Sequence, residues 1–184
     1  MSQVSARATY ADRIEAAGVV GAGGAGFPTH IKARGAADTV IANGVECEPV
    51  LGKDKAIMRA HPDDVVAGLA VMMQCVGACA GVIAIKRKNS REVDAMRGAA
   101  RGYANITVAE VGDYYPAGDE HVLVHELLGR VVPAGGIPLQ AGAVVSNVET
   151  LLNVANAVRD GSPVTHKYLT VAGEVWRPGT FRVP

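Results

Sequence analysis

The residues in this chain best suited to chemistry include six with almost no side chain. Gly21-Ala22-Gly23-Gly24-Ala25-Gly26 is followed by Phe27-Pro28-Thr29-His30-Ile31-Lys32. Nothing in the first six can fill a core, so the backbone is the working surface. Glycine admits positive φ and lets a ligand approach the amides closely. Lys32 follows, where an ammonium can reach an anion. The pattern predicts a loop that cradles a phosphate, with Gly21, Gly23, Gly24, Gly26 and Lys32 as its parts. The letters also match G-x-G-x-x-G, which alone is weak. A dinucleotide fingerprint needs a strand before the glycines and a helix starting within them. Only Val19-Val20 precede, and Pro28 follows, although an acid, Glu46, lies about twenty residues on. A plain glycine-rich turn is the alternative.

Three further clusters pair amides with acids: Asn43-Gly44-Val45-Glu46-Cys47-Glu48-Pro49, Tyr115-Pro116-Ala117-Gly118-Asp119-Glu120 and Asn147-Val148-Glu149-Thr150. Asparagine carries both donors and an acceptor, which suits the edge of a heteroaromatic ring. Carboxylates do not hold phosphate, but they accept hydrogen bonds from sugar hydroxyls. Asp119 and Glu120 also read as first-turn acids of a helix. Phe27 reads equally as a stacking ring or as core. Cys47 reads as a small packing residue before a redox thiol. Cys75 and Cys79 lack the four ligands of structural zinc. His121 and His125 share a helical face without a third ligand, so no metal site is expected.

These four segments, in this order, resemble the flavin-binding motifs of the NADH-oxidising subunit of respiratory complex I and its relatives. Asn-Gly-x-Glu-Cys-Glu-Pro is more similar to two branches. One is the C subunit of the Rnf ion-pumping electron-transport complex. The other is the flavin-dependent cobalamin reductase of propanediol-utilisation microcompartments, where, as here, a short segment precedes the glycine loop. The resemblance implies FMN held by Gly21, Gly23, Gly24, Gly26, Phe27, Lys32, Asn43, Glu46, Glu48, Tyr115, Gly118, Asp119, Glu120, Asn147 and Thr150. It implies that the third motif faces NADH. It implies hydride transfer carried by the cofactor without a catalytic side chain, then electron passage to a cobalamin, a cobalamin-handling enzyme or another acceptor. The 4Fe-4S clusters it implies belong to a later region, and shell proteins of a microcompartment are the further partners it suggests. A partner-docking domain without catalysis is the alternative from another class. Two departures stand out. Val45 takes the place of an aspartate in the complex I relatives, and the second aromatic they carry soon after the loop's lysine is missing from Ala33-Arg34-Gly35.

The rest of the chain must position these residues. Its 184 residues are 49% hydrophobic and 20% charged, with net charge zero. That is a globular composition, and no long basic cluster speaks for nucleic acid. No secretory signal or membrane-length apolar run is evident. Three cysteines fit a cytoplasmic protein. Strands are expected at Thr39–Asn43, Gly81–Lys86, Asn105–Val111 and Ala143–Asn147. Helices are expected at Tyr10–Ala17, from His61-Pro62 to Val76, Arg91–Arg101 (capped by Asn89-Ser90), Ala117–Leu128 and Val148–Val158. Residues 1–8 read as frayed, and Gly129–Ala141 as a loop. Single helices between strands imply a mostly parallel sheet. The fold class is therefore α/β: a Rossmann-like layered domain over residues 1–160 with four parallel strands. Two strands, Lys167–Ala172 and Gly173–Val183, read as the start of a β-grasp module over residues 161–184. That module looks truncated, as in a fragment of a longer protein.

Overall fold

The computed structural model describes the backbone of residues 3–184 and the side chains from residue 9. Strand β1 (Thr39–Asn43) sits inside a four-stranded sheet. Its neighbours are β2 (Ala80–Lys86) and β4 (Ala143–Asn147), and β3 (Ile106–Val111) lies outside β2. All three pairings are parallel, giving the order β3-β2-β1-β4. The chain thus steps outward from β1 to β3, then returns to the far side of β1. That reversal is a topological switch point, and open α/β sheets bind ligands beside such a point, at the carboxyl ends of the strands. Asn43 and Asn147, the last residues of β1 and β4, are paired in register there.

Strand β1 is buried on both faces, which is why its sequence is a β-branched run without polar alternation. Val40 and Ala42 enter a core with α4 (Pro62–Val76) and α7 (Val148–Asp160). Ile41 enters a second core with Leu123 and Val124 of α6 (Glu120–Leu128). Helix α4 starts at Pro62 with Asp63 and Asp64 in its first turn and stops at Gly77, whose φ is +76°. It lies hard against α7. A Cβ on Gly68 would stand 1.9 Å from the Leu151 carbonyl oxygen, so only glycine allows that approach.

Several boundaries differ from expectation. Helix α1 runs Gln3–Ala16, so the part of the frayed segment from Gln3 on is helical; Met1 and Ser2 lie outside the described residues. Helix α5 spans Ser90–Ala100, and Asn89 caps it by position, with no side-chain hydrogen bond. Helix α6 begins three residues later than Ala117, because Asp119 is its N-cap. One Asp119 carboxylate oxygen accepts the N–H groups of His121 (2.9 Å) and Val122 (3.1 Å). Two helices were unexpected: α2 (Thr29–Ala33) and α3 (Lys53–Ala60). A 3-10 turn at Pro138–Ala141 lies within the expected loop. The tail forms an antiparallel pair, β5 (Lys167–Val171) and β6 (Gly179–Val183), so Gly173–Pro178 is a connection and not strand. No helix among the described residues is long and apolar enough to cross a membrane.

Candidate functional site

The glycine run is a closed loop. The Gly21 N–H donates to the Phe27 carbonyl (2.8 Å), and Val20 bridges Pro28. Gly24 (φ +127°) and Gly26 (φ +64°) turn the chain where a side chain would be strained. Helix α2 begins only after Pro28, and the loop precedes β1, so this is not a strand–loop–helix dinucleotide fingerprint. The loop leans instead on the start of α7, where Thr150 Oγ1 accepts the Ala22 N–H (2.9 Å). The N–H of Gly23 has no partner among the described residues. A free glycine amide beside the start of a full-length helix is a place for an anion.

The four segments meet around one cavity of about 410 Å³ at the carboxyl ends of β1 and β4, within the size range of ligand pockets. Gly21, Gly23, Phe27, Lys32, Asn43, Glu46, Glu48, Tyr115, Gly118, Asp119, Glu120, Asn147 and Thr150 line it. Gly24 and Gly26 do not; they turn the loop through their positive φ angles. Residues not anticipated from sequence also line it, notably Lys53, Asp54 and Ser146. No motif spacing points to Lys53 and Asp54; an acid in the first turn of an unforeseen helix is the one signal they carry. Nothing marks Ser146.

Both asparagines work within the protein. Asn43 Nδ2 donates to the Gly118 carbonyl (2.8 Å) and its Oδ1 accepts the Val45 N–H (3.1 Å), joining second and third motifs. Asn147 caps α7 through the Glu149 N–H (2.9 Å) and donates to Asp54 Oδ2 (2.8 Å). Gly118 also donates its N–H to Cys47 Sγ at 2.8 Å, and a Cβ there would meet that sulfur at 2.9 Å. Cys47 thus packs as a small residue, and the glycine of the third motif is required by the second.

Lys32 is not free in the cavity. Its ammonium donates to the Val145 carbonyl (2.7 Å) and to Glu120 Oε1 (3.3 Å), and lies 5.6 Å from the Phe27 ring centroid. A second cation, Lys53, lies between Asp54 Oδ1 (2.6 Å) and Glu149 Oε2 (3.1 Å). Burial alone would lower its pKa, but the two carboxylates outweigh burial and raise it. Glu46 titrates above the ordinary carboxylate range because it is buried and faces Asp54. Its Oε1 accepts the Asp54 N–H (3.2 Å), while Oε2 sees only the Lys55 ammonium, at 3.7 Å. The Glu46–Val50 turn is strained, since Glu46 (φ +43°) and Val50 (φ +59°) hold left-handed conformations.

Two buried side-chain atoms among the described residues have no hydrogen-bond partner: Glu46 Oε2 and Ser146 Oγ. Both residues line this cavity. An unmade hydrogen bond on a buried polar group costs about 1–3 kcal/mol, and two such residues in one cavity wall fit a site for a polar ligand. A free loop amide, the α7 start and these two atoms fit a phosphorylated, heteroatom-rich ring system such as FMN. A smaller apolar cavity of about 200 Å³ adjoins the first; it shares Phe27, Lys32 and Glu120 with it and is walled by Ile31, Ile137 and Leu139.

Known proteins resemble this chain in sequence and in fold. A family model of the Nuo51 FMN-binding domain matches residues 14–156. The chain belongs to that family. It is 43% identical over 176 residues to cobalamin reductase PduS of Citrobacter freundii, covering 96% of this chain and 39% of that protein. It is 36% identical over 172 residues to the C component of the Na(+)-translocating ferredoxin:NAD(+) oxidoreductase complex of Acetobacterium woodii, covering 91% and 39%. Among solved structures, an NAD+-reducing NiFe-hydrogenase in the H2-reduced state superposes with a TM-score of 0.81 at 26% identity, over 97% of this chain and 37% of that one. The chain therefore spans about two-fifths of the length of these relatives. The structural match agrees with the four-stranded parallel α/β architecture.

Proposed function

We propose that this FMN-binding domain is the electron-entry part of an NADH-dependent oxidoreductase. The observation that carries the reading is convergence: four segments far apart in sequence line one cavity at the switch point, and the two residues with orphaned buried polar atoms are among its lining. When bound, FMN supplies a ring that takes up hydride from NADH and releases electrons one at a time. The chain supplies position and field. The glycine-loop amides and the start of α7 hold the phosphate; Lys53, between Asp54 and Glu149, offsets the negative charge of those carboxylates. Asn43 and Asn147 fix the loops around the ring, and Ser146 and Glu46 offer it polar atoms.

Lys32 and Glu120, shared by the two cavities, stand between the cofactor and the incoming dinucleotide. Phe27 offers a ring face on the same boundary. Ile31, Ile137 and Leu139 provide an apolar wall in place of the second aromatic that is missing after Lys32. Glu48, Asp119 and Tyr115 line the larger cavity's polar side, where ribose hydroxyls need acceptors. On this reading the chain divides into a flavin domain, residues 1–160, and the opening of a β-grasp module, residues 161–184. The separate β5–β6 sheet supports that division. A cobalamin or other acceptor, 4Fe-4S clusters in a further region, shell-protein partners and a cytoplasmic or microcompartment setting follow from resemblance to relatives.

Titration of the chain with FMN, followed by anaerobic addition of NADH, tests the reading. Saturable binding and loss of the yellow flavin absorbance are expected. Lys32→Ala should weaken FMN binding, and Glu120→Ala should slow bleaching by NADH. No FMN binding at any concentration, or NADH binding without flavin, would overturn it.

A further inference from the structure

The glycine loop holds itself only at its base, where the Gly21 N–H donates to the Phe27 carbonyl. Its side chains are too small to fix the rest, so further support must reach in from outside. One support is Thr150 on α7, which takes the Ala22 N–H. The other comes from β5, beyond the residues that match the family. Lys167 Nζ donates to the Ala22 carbonyl (3.2 Å) and to Glu149 Oε2 (2.9 Å). Ala22 is thus gripped at its N–H by α7 and at its carbonyl by β5. It lies between Gly21 and Gly23, both in the cavity wall.

Strand β5 also holds the opposite wall. Thr170 Oγ1 accepts the Gly52 N–H (3.1 Å) and is oriented by the Thr180 hydroxyl on β6 (3.2 Å). Gly52 lies between Leu51 and Lys53, which line the cavity. The buried Glu149 carboxylate is the node between these contacts. Its Oε1 accepts the Tyr168 N–H (3.0 Å), and its Oε2 receives both Lys53 and Lys167.

We propose that β5 is a working part of the cofactor site, with Lys167 and Thr170 as positioning residues that hold the glycine loop and the Leu51–Lys53 segment in register. Fixing a glycine-rich backbone carries a large entropy cost. A loop held in advance spares the ligand that cost on binding. The consequence for affinity rests on the FMN reading; the holding of the loops does not.

Hydrogen exchange on the ligand-free chain tests the holding directly, with wild type, Lys167→Met, Lys167→Arg and Thr170→Val compared. Lys167→Met should speed exchange severalfold at Ala22, the loop amide held by Thr150, Thr170→Val should do so at Gly52, and amides of β2 and β3 should not change. Lys167→Arg should restore protection at the loop. FMN titration should then show roughly three- to tenfold weaker binding for Lys167→Met, the range of one lost hydrogen bond. Unchanged loop exchange in Lys167→Met, or acceleration spread evenly over the chain, would overturn the proposal. If exchange behaves as expected but wild type binds no FMN, the strap stands and the flavin reading fails.

Discussion

Replacing Gly68 by alanine is the sharpest structural perturbation available, because the new atom meets backbone. Its Cβ would stand 1.9 Å from the Leu151 oxygen, 2.6 Å from the carbonyl carbon and 3.1 Å from the Cα. No rotamer relieves such a contact. Helices α4 and α7 must separate by roughly 1 Å, and overpacking of this kind costs about 1–3 kcal/mol, with backbone clashes at the upper end. Alanine's better helix propensity returns about 1 kcal/mol. The net expectation is a loss of about 2 kcal/mol, or roughly 4–8 °C in Tm for a chain of this size. Gly98 on α5 is the internal control: a Cβ there meets nothing within 4 Å, so Gly98→Ala should gain about 1 kcal/mol. Urea unfolding of both variants reads the difference. Because α7 begins with residues of the cavity, Gly68→Ala should also weaken FMN binding, whereas Gly98→Ala should not. Equal stability changes in the two variants would refute the packing argument.

Glu46 makes stability depend on pH in a direction opposite to that of most carboxylates. Burial, then the charge of Asp54, raises its pKa in the fold, so the native state binds the proton more tightly than the unfolded state. Stability therefore falls as pH climbs from the ordinary carboxylate value through the raised one. In urea unfolding across that range, Glu46→Gln should flatten the fall; parallel curves would show that Glu46 is not the cause. Val50 is 79% exposed at φ +59°, so Val50→Gly should relieve strain and raise stability by up to about 1 kcal/mol. A stability loss in thermal melts would contradict the strain. Thr150→Val keeps the side-chain shape but strips the Ala22 N–H of its acceptor. It should lower FMN affinity roughly three- to tenfold with Tm little changed, and unaltered titration curves would remove Thr150 from the site.

Much of this was legible in the residues, and the exceptions have physical causes. Strand β1 and helix α4 announce themselves, the one by an unbroken β-branched run and the other by Pro62 with two following acids. Helix α3 hides because Lys53, Asp54, Lys55 and Arg59 look like a solvated loop, yet Lys53 and Asp54 are largely buried in each other's company. Asp119 reads equally as helix residue or ligand contact; the structure makes it the cap while leaving it in the cavity wall. Lys32 was identifiable as a candidate for the site, and it lines the cavity, but its commitment to Glu120 and Val145 depends on β4 and α6 arriving from more than eighty positions away. Ser146 and Lys167 carried no local signal, since an orphaned hydroxyl and a long-range clamp exist only in three dimensions.

The central claim is a phosphate cradle at the strand ends, and the most direct test is competition between FMN and riboflavin for the chain, followed by flavin fluorescence. Saturable FMN binding at one site and much weaker riboflavin binding are expected, with the preference reduced when Gly23 is replaced by a bulky residue. Equal affinity for the two flavins would contradict the claim.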